Sequence, residues 1–541
     1  MAIFQTVIIL LGVILLIIIY EKRGYIIFRD PFSLDHKELK SFFTYPGILI
    51  TFSLITFLLL RISNAFSRAM FTDEMEHLHV GWLISKGLVP FQDFFEHHPP
   101  FFWWLVSFVH SLSPAISVSN YYYLVKAGIA ITAIAVFMLI FLISRSIYKS
   151  SMAGLISLTV IILSGWNSDC LFQIRPDTLM LLFYFVSILC FVYYLQVQRE
   201  ALCLYAGIFS LVISQFILPK LPIESMLILG FVSLEMLKRQ GIKGLLVHIL
   251  LPCFISAGVL LLFMSFISDL GDVFNFVIRV NCFMTSYLGD RFHFLNARDY
   301  LPIYIFSGAG IFASFVYIKK KIRSEIALLL VVFVASLLDI LFFIPHLIPQ
   351  YYLPMYMVMA ILCGGIVLID GFNSKILDIL LVVLIFILPM KIPAYYQNMA
   401  EKKAQFQAIE YVLDNTECKD FVFVDPILHP IFRYDAGYYW FSRWRMISDM
   451  QNNFNKLEFL PHKDELMDAT IAFDKKRPKF VTSPDSFTWS SLDKLEMAKY
   501  ESNQFKKVPL TYFSLIATYY KEAYLAEFCP DGSCKTRKVR Y

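Results

Sequence analysis

Apolar residues run along this chain in blocks long enough to cross a bilayer, separated by short polar stretches. A spanning helix needs roughly 20 apolar residues, with about 17 to 25 tolerated. On that measure about twelve segments qualify. They are 4–20, 46–62, 121–143, 152–166, 177–196, 201–219, 222–238, 245–268, 300–318, 325–344, 351–370 and 374–392. The 201–238 stretch also reads as a re-entrant pair. The apolar run 8–19 has no basic residue before it and no small-residue cleavage site after it, so the pattern predicts a retained membrane helix rather than a signal peptide.

From residue 393 the pattern changes. Charged residues return and long apolar runs stop. FVFVD at 421–425 and KFVTS at 479–483 read as buried strands ending in turns; 404–413 and 491–500 read as helices. The expected architecture is a polytopic α-helical membrane domain over 1–392 and a small soluble α/β domain over 393–541. Between the second and third spans lies a long loop, 63–120, too long for a simple connector. It predicts two helices lying along the membrane surface. The first starts near Thr72 or Asp73 and stops at Lys86-Gly87, and the second starts at Pro99-Pro100. Met75, Leu78 and Trp82 make an apolar face on the first, with Glu74, His77 and Gly81 on the face predicted to meet water.

Composition agrees with the membrane reading. Of 541 residues 58% are hydrophobic and 16% charged, where a soluble protein carries about 25% charged residues. Mean hydropathy is +0.63. A net charge of +5 is too small to imply a nucleic-acid partner. No Walker loop, dinucleotide fingerprint or paired CxxC zinc motif is present, which argues against a nucleotide-driven pump. Cys529 and Cys534 form a C-x4-C pair, readable either as a disulfide in an oxidising compartment or as two free thiols.

Lys and Arg set the orientation. One set of alternate loops holds Lys22, Arg23, Arg29, Lys37 and Lys40, then Arg145 and Lys149, Arg199, Lys238, Arg239 and Lys243, Lys319 to Lys321 with Arg323, and Lys375. The other set is sparser, so the basic set is cytoplasmic. The 63–120 loop and the C-terminal domain then lie outside.

Residues 71–100, FTDEMEHLHVGWLISKGLVPFQDFFEHHPP, concentrate titratable groups beside the membrane: Asp73, Glu74, Glu76, His77, His79, Asp93, Glu96, His97 and His98. Ionisable groups near hydrocarbon are costly and are usually kept for function. Each also has a plainer reading. Asp73 suits an N-cap, with Glu76 closing a capping box; Glu74 suits a first-turn acid; His97 and His98 suit polar side chains on the surface. Glu96, His97 and His79 could together take a divalent metal, although their spacing matches no standard zinc pattern. In WNSDCLFQIRPD, Arg175 and Asp177 stand where a helix enters the membrane, as a capping ion pair or part of a site. Lys220, in ILPKLP, stands between two apolar runs, either snorkelling or facing a lipid phosphate. Asp272, Arg279, Asp290, Arg291, His293 and Arg298 fall in a later outer loop, and His346, Gln350, Tyr351 and Tyr352 in another. One membrane face thus collects carboxylates and lone cations. This suits a reaction between a donor held in the bilayer by a lipid tail and an aqueous acceptor. It needs a carboxylate base and cations for a departing phosphate.

The arrangement resembles the C-type (GT-C) membrane glycosyltransferases, in the branch of protein O-mannosyltransferases and lipid A aminoarabinose transferases. The residues that carry the resemblance are Asp73-Glu74, the turn Gly87-Leu88-Val89-Pro90, Glu96-His97-His98-Pro99-Pro100, Arg175-Pro176-Asp177, Lys220 and Gln350-Tyr351-Tyr352-Leu353-Pro354. It implies a polyprenyl-phosphate-linked sugar donor, inversion at the anomeric centre, and Asp73 as catalytic base supported by Glu74. It further implies Lys220, Arg175 and His98 on the lipid phosphate, with Asp177 and Tyr351 in the donor site. A histidine stands at position 98 where the family often has lysine. The implied setting is a bacterial inner membrane with an undecaprenyl carrier and an acceptor outside the cytoplasm. Two other readings remain at this stage: a transporter or flippase of a lipid-linked substrate, and a non-catalytic assembly partner. A transporter would place its ionisable groups near the bilayer midplane in paired repeats, and here they crowd at one surface.

Overall fold

The computed structural model describes residues 45–163, 170–197, 201–283, 308, 310–312, 323–343, 349–368, 392–424, 428–439, 450–467, 471, 475–476, 478–482, 505–508 and 525–528. Outside these fall the expected span 4–20, all but the last residue of 374–392, most of 300–318, the helix expected at 491–500, and Asp290, Arg291, His293, Arg298, His346, Cys529 and Cys534.

In chain order the main helices are α1 (Tyr45–Ser67), α2 (Thr72–Ser85), α3 (Phe101–Leu112), α4 (Val118–Tyr148), α5 (Ser151–Leu163), α6 (Pro176–Val197), α7 (Ala201–Ile217), α8 (Pro222–Leu245), α9 (Leu251–Ser265), α10 (Ser324–Leu338), α11 (Leu353–Cys363) and α12 (Ile392–Asp414). Five strands follow: β1 (Phe421–Phe423), β2 (Tyr434–Asp435), β3 (Phe480–Thr482), β4 (Phe505–Val508) and β5 (Leu525–Phe528). Among the described residues, five helical runs are long and apolar enough to cross a membrane.

The chain divides into two compact units. The first comprises 1–66, 124–263 and 287–393; the second comprises 67–123, 264–286 and 394–541. The first outer loop therefore groups with the C-terminal segment, not with the helices it interrupts.

In the first unit α6 packs tightly on α7. A Cβ added at Gly207 would lie 2.6 Å from the Phe191 ring, so glycine permits the approach. Pro222 opens α8, as proline suits a first turn. Leu221, at the N-cap, offers no capping side chain. Asp339, just past α10, supplies the cap instead: its oxygens accept the Ile223 and Glu224 N–H groups at 3.1 and 2.8 Å. The two spans expected at 222–238 and 245–268 run together as α8, a π-helical turn at Leu246–Leu250, and α9. The kink falls at Gly241, at φ 65°. Lys238, Arg239 and Lys243 depress hydropathy there, and Gly241 leaves helical geometry at the same place, so the boundary expected between the two spans falls at the kink.

In the second unit the sheet order is β2-β1-β3-β5-β4. β1 is parallel to β2 and to β3; β5 is antiparallel to β3 and to β4. Val412 of α12 packs on Val422 and Val424. Arg433 closes the C-terminal end of α12, donating to the Leu413 and Thr416 carbonyls at 2.9 and 2.7 Å and to Thr416 Oγ1 at 2.7 Å. α2 packs on α3 at Gly81, where a Cβ would lie 2.5 Å from Val106 Cγ1.

Candidate active site

α2 starts two residues earlier than a cap at Asp73 would require. The Phe71 carbonyl accepts the Glu74 and Met75 N–H groups, and Glu74 Oε2 accepts the Phe71 N–H at 3.1 Å. Glu74, not Glu76, reaches back to the start of the helix. Asp73 is thereby left in the first turn, half-buried, at the positive end of the helix dipole. The side of α2 expected to meet water is instead enclosed: Glu74, His77 and Gly81 are buried, and so are Glu76 and His79. Helical periodicity identifies faces of a helix, but not the later segments that cover them.

Glu76 faces Glu96, His97 and His98. His98 Nδ1 lies 3.6 Å from Glu76 Oε1 and 3.3 Å from Glu96 Oε2, and His97 Nδ1 lies 3.9 Å from Glu96 Oε2. Glu96 Oε2 also accepts the His97 N–H at 2.9 Å. Asn281 Nδ2 donates to the His97 carbonyl at 2.8 Å. Burial works to raise the Glu96 carboxyl. The side-chain hydrogen bonds with Glu76 and His98 and the charges of His98 and His97 outweigh it, holding Glu96 below the ordinary carboxylate range. His77 lies alongside; Trp103 Nε1 donates to its Nδ1 at 2.9 Å, so the neutral ring carries its proton on Nε2. One ligand atom from each of Glu76, Glu96, His97 and His98 lies within 4.8 Å of the others. Two imidazoles and two carboxylates at that spacing fit a zinc-class cation. His79 does not join them. It pairs with His429 and Asp435, residues of the LHPIFRYD segment that carry no recognisable motif.

In the first unit Asp177, in the first turn of α6, accepts from two cations. Arg175 Nε donates to Oδ2 at 3.0 Å and Lys220 Nζ to Oδ1 at 2.6 Å. Lys220 Nζ also lies 4.1 Å from the Tyr351 ring centroid, a cation–π contact. The four residues named from sequence at this end of the bundle thus meet, and Lys220 is held by Asp177 rather than snorkelling. Sequence reasoning passed over Asp339, which anchors the helix after Lys220, and Glu224, which is fully buried near Tyr184 and Ser336. An acid in an apolar run was the available signal.

Two buried histidines of the second unit make its stability pH-dependent. Burial, helped by the Lys86 charge, pushes His110 down to about 4, and burial pushes His429 down to about 4. The unfolded chain protonates both near 6.5, so between about 6.5 and 4 it binds more protons than the folded chain and stability falls with falling pH. Thermal unfolding midpoints in detergent are expected to drop through that window. His110→Gln should flatten the drop.

No protein-family model and no curated protein sequence matches this chain. Solved structures do. ArnT from Cupriavidus metallidurans bound to undecaprenyl phosphate superposes with a TM-score of 0.58 at 11% identity, covering 91% of this chain and 100% of ArnT. The same protein in its apo state gives 0.59 at 11% identity, covering 90% and 99%. The likeness is one of fold: this chain folds as ArnT does along nearly its whole length.

Proposed function

We propose that this protein is a GT-C-type glycosyltransferase that moves a sugar from a polyprenyl-phosphate carrier to an acceptor outside the cytoplasm, with Asp73 as general base. The observation that carries the reading is the state of the first turn of α2: within a fold like that of ArnT, Glu74 is buried and committed to the helix start, while Asp73 stays half-exposed.

The acceptor O–H or N–H attacks the anomeric carbon. Asp73 takes its proton, and the bond from that carbon to the phosphate oxygen breaks with its electron pair leaving on the lipid phosphate. Lys220 and Arg175 carry one more positive charge than Asp177 neutralises, which suits a departing phosphate monoester. Tyr351 steadies Lys220. His98 is better placed as a cation ligand than as a phosphate contact, because two carboxylates face its ring and would repel an anion. Glu76, Glu96, His97 and His98 would hold a divalent cation of zinc type, ordering the turn that leads into α3. The sparse Lys and Arg of the loops around α2 favour an outward-facing site in a bacterial inner membrane, where the carrier would be undecaprenyl phosphate.

Mass spectrometry of lipid-linked sugars and envelope glycans, with and without the protein, tests the proposal. A polyprenyl-phosphate sugar should accumulate on deletion while one glycan is lost. Unchanged lipid and glycan profiles would overturn it.

A further inference from the structure

The C-terminal segment grips α2 and its flanking turns at three levels. Before α2, the Gln405 side chain of α12 reads both backbone groups of Met70, accepting its N–H at 2.7 Å and donating to its carbonyl at 3.0 Å. After α2, the Phe95 N–H donates to the Tyr438 carbonyl at 2.9 Å, and the Tyr438 hydroxyl donates to the Phe91 carbonyl at 2.5 Å. Between these lie His79, His429 and Asp435.

The protons of this group follow from its partners. His79 Nδ1 lies 2.5 Å from the Ile431 carbonyl, which only accepts. His79 Nε2 lies 2.6 Å from Asp435 Oδ2, whose carboxyl is held below the usual range: burial would raise it, and the facing imidazoles outweigh burial. Both ring nitrogens of His79 therefore donate, and the ring is an imidazolium. His429 Nδ1 accepts the Ile431 N–H at 3.0 Å, so its one proton sits on Nε2 and is donated to Asp435 Oδ1 at 3.0 Å. The triad is neutral overall, with Asp435 bridging one charged and one neutral ring. Ile431 holds both rings through its backbone and does so at φ 61°, a left-handed conformation that costs a β-branched residue. Trp82 stacks on His79 at 5.5 Å between ring centroids, and Tyr434 lies 5.0 Å from Trp82.

The ligand atoms of these three residues also fall within 4.8 Å of one another, the spacing of a metal site. The His429 contacts oppose that use. A ring that accepts at Nδ1 carries its proton on Nε2 and has no lone pair there for an ion.

We propose that His79, Asp435 and His429 form a positioning triad through which the C-terminal domain holds the helix bearing Asp73 and Glu74, making that domain a working part of the transferase. His79 follows Asp73 by six residues, about 9 Å along the helix, and a small misplacement of a reacting group can cost about 10²-fold in rate. The catalytic consequence rests on the function proposed above; the triad and its protonation do not.

The test uses the full-length protein in detergent, comparing wild type with Asp435→Asn. Amide exchange across 72–85 should rise by at least about tenfold while that across 176–197 is unchanged. The doubly protonated imidazole signal of 15N-labelled His79, assigned by its loss in His79→Gln, should disappear. Sugar transfer should lose about tenfold in kcat with the donor KM within about twofold. If Asp435→Asn does not accumulate, His79→Gln carries the exchange and kinetic measurements. Unchanged exchange across 72–85 overturns the triad. Stoichiometric zinc in the wild type that is lost with Asp435→Asn also overturns it, in favour of a metal centre. Faster exchange with unchanged kcat overturns the positioning role. If wild type shows no transfer, the transferase reading fails alone, and exchange and spectroscopy still decide the triad.

Discussion

Asp73→Asn is expected to lower sugar transfer by about 10²- to 10⁴-fold, the range attributed to a positioned general base. The substitution is mild for the fold. Asn is as acceptable as Asp at a helix start, and the cap of α2 is made by Glu74 Oε2 on the Phe71 N–H, which the change does not touch. The loss should therefore appear in kcat, with the thermal midpoint within a degree or two of wild type on the scale of a surface change. Glu74→Gln is the control. Its amide oxygen still accepts from Phe71, so a smaller kinetic effect is expected. Transfer from a purified polyprenyl-phosphate sugar, assayed beside thermal unfolding, decides it. Full activity in Asp73→Asn would remove the base assignment.

The second large effect belongs to the Arg175–Asp177–Lys220 group. Removing one member of a buried ion pair costs about 3–5 kcal/mol because a charge is left enclosed. Asp177→Asn leaves Arg175 and Lys220, both largely enclosed, without their carboxylate and should destabilise by that order. Lys220→Met leaves Asp177 with Arg175 and should cost less in stability. It should lower kcat/KM for the donor by about 10²-fold if the ammonium meets the phosphate. The double variant separates the roles. It strands only Arg175 where Asp177→Asn strands two cations, so stability should recover in part. If the group only caps α6, transfer should recover with it; if Lys220 binds the donor, transfer should stay low.

Much of this was legible in sequence because it is local. The ends of α2 follow from a stop at Lys86-Gly87, and the start of α3 from Pro99-Pro100, where backbone chemistry leaves few options. β1 and β3 fall where short apolar runs meet turn residues. The resemblance carried by Asp73-Glu74 and Glu96 to Pro100 anticipated a GT-C fold that superposition supports. Long-range features were not legible. Glu76 was weighed only as a capping residue, yet it turns inward to Glu96 and His98, twenty or more residues on. His79 was grouped with Glu96, whereas its partners lie over 350 residues away. The break between two spans near 240 was legible, since the basic run Lys238 to Lys243 encloses Gly241, which leaves helical geometry at φ 65°.

The distance between His79 and Asp435 has a consequence for biogenesis. They are 356 residues apart in the chain. At about 5–20 residues per second, synthesis delivers α2 some 20–70 s before its partner strand. Through that interval a nascent helix bearing buried-type carboxylates and histidines waits without its partner strand, open to proteases and assembly factors. Passage through quality control would then be limited by arrival of β2, and mutations in that strand would register as failures of maturation.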